Sequence, residues 1–135
     1  MYEKFGQFTD GKWHQSSDKG TYEVINPANE EIIGHASKAT AQDVEKALKS
    51  AQKGLEVWKK TPPWQRAYII RRIADKMREK QDVLAKWMTL EVGKPFAEAK
   101  GEVSGAADIF EWNAEETKRI YGQTVESRFE DTRVH

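Results

Sequence analysis

Cysteine is absent from all 135 residues of the sequence. Disulfide bonds, a cysteine nucleophile and thiolate metal ligands are therefore excluded within this chain. An excess of charge is also lacking, because 22 basic and 22 acidic residues give a formal net charge of zero. A general polyanion-binding protein would carry a basic excess, so we expect no nucleic-acid partner.

Long hydrophobic runs are missing as well. The start of the chain, MYEKFGQFTDGKW, has no apolar segment of the kind found in secretory signals. No run approaches the roughly 18 apolar residues that a membrane span needs. We therefore expect a soluble, cytoplasmic protein without a membrane partner.

Large aromatic side chains are frequent for so short a chain. Five tryptophans accompany a charged fraction of 33%. They lie half-buried on amphipathic helices, or they face a partner that this chain does not supply, and the sequence leaves both interpretations open. The five are Trp13, Trp58, Trp64, Trp87 and Trp112.

The N-terminal part predicts a loop followed by a β-hairpin. Residues 1–20 are interpreted as a loop or arm, because GQF, DGK and SSDKG are turn signals. The hairpin covers residues 21–37, where the β-prone segments TYEVI and EIIGHAS flank the turn NPANE. Thr40 then predicts a helix N-cap, with Asp43 as its partner in a capping box.

Four helices are predicted after the hairpin, followed by a tail. The helices cover about residues 41–59, 62–80, 82–92 and 95–121, and the truncated tail covers 126–135. Between the third and fourth helices, Gly93 suits the left-handed position after a helix and Pro95 suits the first turn of the next. Gly122 is predicted to follow the end of the fourth helix. The fold class is mainly α with an N-terminal β-hairpin.

Each predicted helix has one apolar face, which is typical of a helical layer that packs on something else. The residues are Val44, Leu48, Ala51, Leu55 and Trp58 in the first helix, Ile70, Ile73, Ala74 and Met77 in the second, Leu84, Trp87, Met88 and Val92 in the third, and Ala99, Val103, Ala106, Phe110, Ala114, Thr117 and Tyr121 in the fourth. Gly101 and Gly105 indicate tight packing of the fourth helix, because a glycine inside a helix costs about 1 kcal/mol relative to alanine.

The residues alone predict no catalytic site. Glu111, Glu115 and Glu116 could act as general acid and base if one of them were buried. A solvated helix face with a Glu115–Arg119 pair is the simpler interpretation. The basic run between residues 71 and 80 is interleaved with acidic residues and is interpreted as a solvated face too.

Metal and nucleotide motifs are not found. His14, His35 and His135 lack the spacing of a metal site. Gly93-Lys94 is followed by proline and has no preceding glycine in the position that a phosphate loop requires. No G-x-G-x-x-G motif occurs, so no cofactor-binding residue is predicted.

Five segments follow one another along the chain: INPANEEIIGHAS, TAQDVEKALKSAQKGLEVWKK, QRAYIIRRIADKM, LEVGKPFAEAKGEV and FEWNAEETKRIYG. Taken in this order, they resemble the N-terminal part of an NAD(P)-dependent aldehyde dehydrogenase. Their order and spacing match that family from about residue 20 to residue 125. The E-x-GKP step and the last helix are the most specific pieces, and that helix is most similar to the succinate-semialdehyde dehydrogenase branch.

The resemblance implies a fold and an activity for a parent enzyme. Residues 21–125 would form the outer helical layer of the cofactor domain in the α/β fold of that family. The parent would be a homo-oligomer that oxidises a small aldehyde, succinate semialdehyde in the similar branch, to a carboxylic acid with NAD or NADP. In the family a cysteine attacks the aldehyde, an asparagine helps to form the oxyanion site, and a glutamate activates water.

None of those catalytic groups can be carried over to this sequence. The catalytic cysteine, the general-base glutamate and the cofactor segment have no counterpart here. The chain alone is therefore expected to be inactive and to bind no cofactor.

The resemblance also implies a role for the fourth helix, which borders the substrate tunnel in the family. The matching positions are Ile109, Phe110, Trp112 and Asn113. The semialdehyde branch often has an aromatic residue where this sequence has Asn113. Alternatively, Phe110 and Trp112 are ordinary core and surface residues.

Three functions stay open on the sequence. The first is an N-terminal fragment of an aldehyde dehydrogenase that is inactive alone. The second is a stand-alone helical interaction module that pairs with an intact family member through its apolar faces. The third is a small self-sufficient enzyme that uses the carboxylates between Glu111 and Glu116.

Overall fold

The computed structural model describes residues 6–134, and within them it contains four α-helices and three two-stranded antiparallel sheets. The elements are β1 (Gln7–Thr9), β2 (Lys12–His14), β3 (Thr21–Ile25), β4 (Ile32–Ser37), α1 (Ala41–Trp58), α2 (Pro63–Glu79), α3 (Gln81–Val92), α4 (Phe96–Glu116), β5 (Val125–Glu126) and β6 (Arg133–Val134). The mainly helical class with an N-terminal hairpin is confirmed. Residues 1–5 of the predicted loop, and His135, lie outside the described residues.

A short hairpin lies where the sequence predicted a loop. β1 pairs with β2, and the rings of Phe8 and Trp13 lie opposite each other with centroids 5.1 Å apart. Asp10 and Gly11 join the strands with φ values of 54° and 75°. Both values are left-handed, as a type I′ turn requires, and Asp-Gly is a dipeptide that favours this turn. The signal was therefore present in the sequence, but three-residue strands gave little alternation to support it.

Gly93 ends α3 and also makes room for the turn between β3 and β4. Its φ is 74°, and its N–H donates to Thr89 O at 2.9 Å. A Cβ at this position would lie 3.0 Å from Pro27 Cγ and 3.1 Å from Ala28 N. The left-handed conformation was predicted from the sequence, whereas the close approach of the β3–β4 turn was not.

The capping box predicted at the start of α1 is present, and its carboxylate also binds the linker between β2 and β3. Asp43 N donates to Thr40 Oγ1 at 3.2 Å, and Thr40 N donates to Asp43 Oδ2 at 3.0 Å. The same carboxylate oxygen accepts from Ser17 N at 3.0 Å. These hydrogen bonds, that of Ser17 N foremost, hold the pKa of Asp43 well below its ordinary value. The carboxylate therefore fastens the residues before β3 to the first turn of α1.

We expect Asp43→Asn to lower the melting temperature most at neutral pH. The folded chain keeps Asp43 ionised below the ordinary carboxyl pKa of 3.8, so its stabilisation is complete above that value and is lost as the pH falls further. The difference in melting temperature between the two chains should therefore shrink below about pH 4. Thermal melts by circular dichroism from pH 7 to low pH measure it, with the exposed Asp75→Asn as the control. A difference that stays constant over this range would contradict the assignment.

The core of the helical part is built mainly from alanine. Helices α2, α3 and α4 pack together, and their fully buried apolar residues are Ala67, Ala74, Ala85, Ala99, Val103, Ala107 and Ala114. Leu84 and Met88 of α3 are partly buried and pack against Ala85, Ala99 and Val103 of this core. Small side chains let helix axes approach closely, so the three helices form one tight unit.

The buried faces of α2 and α4 agree with the predicted ones in part. The residues buried as predicted are Ala74 of α2, Ala99, Val103 and Ala114 of α4, and Thr117 just beyond α4. In α2 the buried residues are Ala67 and Ala74, whereas Ile73 is exposed. In α4 the predicted Phe110 is exposed, and Tyr121 lies beyond the helix and is exposed as well. Periodicity weighted by hydrophobicity favours the bulky residues, but the helices meet along the smaller ones because these permit the closer contact.

The apolar face predicted for α1 exists, but the described chain leaves it uncovered. We name this face the α1 stripe, and it consists of Val44, Leu48, Ala51, Leu55 and Trp58. All five residues are exposed, and the four larger ones are 38–59% exposed. Four of the five tryptophans, all except Trp87, are likewise exposed.

The fourth helix is shorter than predicted. Its α-helical part ends at Glu116, and a 3₁₀ turn covers Thr117–Arg119, so Gly122 does not cap it. Thr117 Oγ1 donates to Asn113 O at 2.9 Å, in competition with backbone donors for that carbonyl. The two helix glycines also differ from expectation, because an added Cβ at Gly101 or Gly105 would meet nothing within 4 Å.

None of the helices described between residues 6 and 134 is long and apolar enough to cross a membrane.

Candidate functional site

The four residues proposed for a substrate tunnel lie on the C-terminal half of α4. A helix turns about 100° per residue, so Ile109, Trp112 and Asn113 share one side. Trp112 lies opposite Ala107 and Ala114, which pack into the helical unit. Ile109 is 64% and Trp112 is 71% exposed. The structure therefore brings these three residues together on an open surface.

Phe110 and the side-chain amide of Asn113 are arranged differently from the exposed side chains of Ile109 and Trp112. Phe110 follows Val103 by seven residues and precedes Ala114 by four, so it lies on the packed side of α4, yet it is 39% exposed. The Asn113 amide donates from Nδ2 to Ile109 O at 2.8 Å, so its side chain lies along the helix. This bond uses one of the two N–H groups of Nδ2, so the amide keeps a second donor and the acceptor Oδ1.

Two arginines of α2 form hydrogen bonds with acidic residues of α4. Arg78 donates to Asp108 Oδ1 and to Glu111 Oε2, both at 2.7 Å. The hydrogen bond to Asp108, followed by that to Glu111, raises the pKa of Arg78. One turn further along α4, Glu115 accepts from Arg71. Arg71 and Arg78 are seven residues apart, which places them on one face of α2.

These interhelical pairs were not predicted from the sequence. The basic run of α2 and the glutamates of α4 were predicted to form two separate solvated faces. The seven-residue spacing of the arginines was the available signal, and the spacing of Asp108, Glu111 and Glu115 matches it. Only the packing of α2 on α4 brings the two sets together.

The glutamates of α4 are ion-paired and not set up for acid–base catalysis. Lys118 Nζ lies 2.9 Å from Glu115 Oε2 and 4.7 Å from the centre of the Trp64 ring. Arg119 pairs with Glu116 at 2.7 Å, in place of the predicted pair with Glu115. The hydrogen bond from Arg119 lowers the pKa of Glu116, whereas a general acid at neutral pH needs a raised one. The self-sufficient enzyme is therefore disfavoured.

The described residues do not fit a dinucleotide or a metal ion. A dinucleotide fold needs parallel strands joined by crossover helices, and the sheets within residues 6–134 are all antiparallel pairs. In the same range no group of three or more His, Cys, Asp or Glu residues is placed to hold a metal. His14 and His35 lie in different hairpins.

Within residues 6–134 the structure therefore shows a helical layer with an exposed α1 stripe and three antiparallel strand pairs. The sequence profile of the aldehyde dehydrogenase family matches residues 13–135. The chain belongs to the aldehyde dehydrogenase family.

Two of the relatives that the chain matches are semialdehyde dehydrogenases. The chain is 44% identical over 127 residues to glutarate-semialdehyde dehydrogenase of Pseudomonas aeruginosa. It is 42% identical over 125 residues to the NADP(+) succinate-semialdehyde dehydrogenase of Escherichia coli. These matches cover 94% and 93% of this chain but 26% of each relative, so the chain spans about a quarter of their length.

Solved structures also match this chain over about a quarter of their own length. An NADP-dependent enzyme of Escherichia coli superposes with a TM-score of 0.90 at 41% identity, over 97% of this chain and 28% of that one. Betaine aldehyde dehydrogenase of Staphylococcus aureus, in complex with NAD+, superposes with a TM-score of 0.89 at 32% identity, over 95% of this chain and 26% of that one. The resemblance to the N-terminal part of the family, close to succinate-semialdehyde dehydrogenase, is confirmed.

Proposed function

We propose that this chain forms the N-terminal portion of an NAD(P)-dependent dehydrogenase that oxidises a semialdehyde to a dicarboxylic acid. The observation that carries the proposal is the identity of 42–44% to succinate- and glutarate-semialdehyde dehydrogenases over more than nine-tenths of the chain. Both relatives are named for short aldehydes that end in a carboxylate. The reaction takes up water and transfers a hydride from the aldehyde carbon to the nicotinamide.

The chain would contribute walls to the substrate tunnel and no catalytic group. Ile109 and Trp112 present apolar surface on the open side of α4, where the chain of the substrate would lie. The amide of Asn113 next to them keeps one N–H donor and the acceptor Oδ1, so it can bind a polar group of the substrate. The thiol and the dinucleotide site would come from residues outside this chain.

The test is a chimera in which this chain replaces the matching N-terminal residues of the Escherichia coli succinate-semialdehyde dehydrogenase. We expect the chimera to reduce NADP with succinate semialdehyde, while the isolated chain shows no turnover. A correctly folded chimera without activity would contradict the proposal.

Trp112→Ala in the chimera tests the tunnel assignment. We expect KM for succinate semialdehyde to rise about tenfold, which corresponds to roughly 1.4 kcal/mol of binding, with little change in melting temperature. Lys86→Ala, at an exposed position of α3, is the control and should leave KM unchanged. An unchanged KM in Trp112→Ala would place that residue outside the tunnel.

An interaction module that pairs with an intact family member is the second candidate. The exposed α1 stripe favours it, because uncovered apolar faces are typical of interaction sites. This candidate predicts a stable complex between the isolated chain and the intact Escherichia coli enzyme in sedimentation velocity, and the first candidate predicts none.

A further inference from the structure

A polar groove runs between α1 on one side and the first hairpin with its following linker on the other. The two walls are joined at two points along α1. At the start of the helix, Ser17 N donates to Asp43 Oδ2 at 3.0 Å. Seven residues further along α1, Asp10 N donates to Ser50 Oγ at 3.2 Å. Seven residues correspond to about 10 Å of helix, so hydrogen bonds fix the walls of the groove over this length.

Three lysines of α1 line this groove, namely Lys46, Lys49 and Lys53. Their spacings of three and four residues place them on one face of the helix, opposite the α1 stripe. Like charges at these spacings repel each other and destabilise a helix. Within the described part of the chain none of the three forms an ion pair, whereas Lys59 at the end of the same helix pairs with Glu56 at 2.5 Å.

Two aspartates also line the groove, but neither forms an ion pair with one of its lysines among the described residues. Asp43 Oδ2 already accepts hydrogen bonds from Ser17 and Thr40. It also lies in the first turn of α1, where the helix dipole stabilises a negative charge. Asp10 belongs to the turn between β1 and β2. The lining therefore keeps an excess of positive charge, although the whole chain has a formal net charge of zero.

The size and the donors of the groove suit a small ligand with several negative charges. Its volume is about 440 Å³, and small-molecule sites typically have about 300–1,000 Å³. Lysine ammonium groups bind phosphate and carboxylate groups as point charges. Lys46 and Lys53 are seven residues apart, about 10 Å along the helix axis, so a ligand with two or more charged groups can contact more than one lysine. Ser50 Oγ accepts from Asp10 N and can donate its own proton to the same ligand.

We propose that the groove between α1 and the first hairpin binds a small anion with at least two negative charges, either an oligophosphate or a polycarboxylate. The lysines of the groove bind its charged groups, and the bound anion relieves the repulsion between them. The proposal does not depend on the proposed function, because all of its residues belong to this chain and it is tested by binding and not by turnover.

Titration of the ¹⁵N-labelled 135-residue chain with tripolyphosphate and with citrate measures the binding by NMR. The ionic strength is held at about 0.15 M, so that weak long-range attraction is screened. We expect saturable shifts of the amides in β1, β2 and α1 and much smaller shifts in α3. Lys46→Gln and Lys53→Gln should each weaken binding about threefold, as expected for the loss of one exposed ion pair. The tighter of the two anions identifies the preferred charged group.

Lys86→Gln is the matched control, because Lys86 is an exposed lysine of α3 and the substitution removes the same charge. Glutamine and lysine have similar helix propensities, so all three variants should keep their helical circular dichroism. The control should bind the anions as tightly as the unchanged chain does. Equal weakening by all three substitutions, or shifts that do not saturate, would overturn the proposal. A hexaglutamate peptide that binds more tightly than both anions would also overturn it, since the ligand would then be a protein segment.

Thermal melts of the chimera give a second measurement that does not require the isolated chain to be folded. Tripolyphosphate should raise the melting temperature, because a ligand of the folded state stabilises it. The rise should be smaller in the chimera with both Lys46→Gln and Lys53→Gln than in the chimera with Lys86→Gln. An equal rise in the two would overturn the anion site. A chimera that shows the expected difference but no turnover would contradict the proposed function alone.

Discussion

Ala107→Leu is expected to lower the melting temperature of the chain by about 5–20 °C, since overpacking costs about 1–3 kcal/mol and each kcal/mol shifts a domain of this size by several degrees. Ala107 is fully buried, and the core around it contains no large side chain that is itself fully buried. Three added carbon atoms must therefore displace partly buried neighbours or move α4 away from the other helices.

The ion pairs beside this core make such a displacement more costly. Asp108 and Glu111 follow Ala107 on α4 by one and four residues, and both accept hydrogen bonds from Arg78 of α2. Thermal melts followed at 222 nm measure the effect, with Ala97→Leu, at an exposed position in the first turn of α4, as the control. A melt of Ala107→Leu that coincides with the control would mean that the alanine core is not closely packed.

Gly93→Ala is expected to destabilise the chain by more than Gly11→Ala. The two glycines have nearly the same backbone conformation, with φ of 74° and 75°. A left-handed non-glycine residue costs about 1–2 kcal/mol, and this part should be common to both substitutions. Gly93 differs because the new Cβ would lie 3.0–3.1 Å from Pro27 Cγ and Ala28 N, whereas Gly11 has open space.

The difference in the free energy of unfolding between the two variants measures the effect of the contact between the α3–α4 corner and the β3–β4 turn. Ala28 N is a backbone atom and cannot rotate away, so the turn itself must move. Denaturant unfolding of both variants gives the two free energies. Equal losses would show that the turn does not press on Gly93 in solution.

Features set by a short stretch of sequence could be predicted from it. Thr40 and Asp43 are three residues apart and form the capping box, and Gly93 and Pro95 end one helix and begin the next. In each case the physical cause, a hydrogen bond or a restricted φ, acts within a few residues. The Asp10-Gly11 turn belongs to the same class, although its short strands concealed it.

Features that depend on a partner element could not be predicted in the same way. Ala74 was predicted to be buried and is, but hydrophobicity also placed Ile73 on the buried face of α2, whereas the structure buries Ala67 and leaves Ile73 exposed. The positions proposed for the substrate tunnel show the same limit more strongly. Ile109 and Trp112 are exposed side chains on a helix, and only the resemblance to a family distinguished them from ordinary surface residues.

Gly105 gives the chain a practical property for spectroscopy. It lies on the exposed side of α4, where an added side chain would meet nothing within 4 Å, and the sequence contains no cysteine. Gly105→Cys would therefore carry the single thiol of the molecule at a position where a fluorophore or nitroxide disturbs no packing. Replacing a glycine inside a helix should also favour the helix slightly. A glycine that suggested close packing in the sequence thus becomes a labelling site from which distances to any bound protein can be measured.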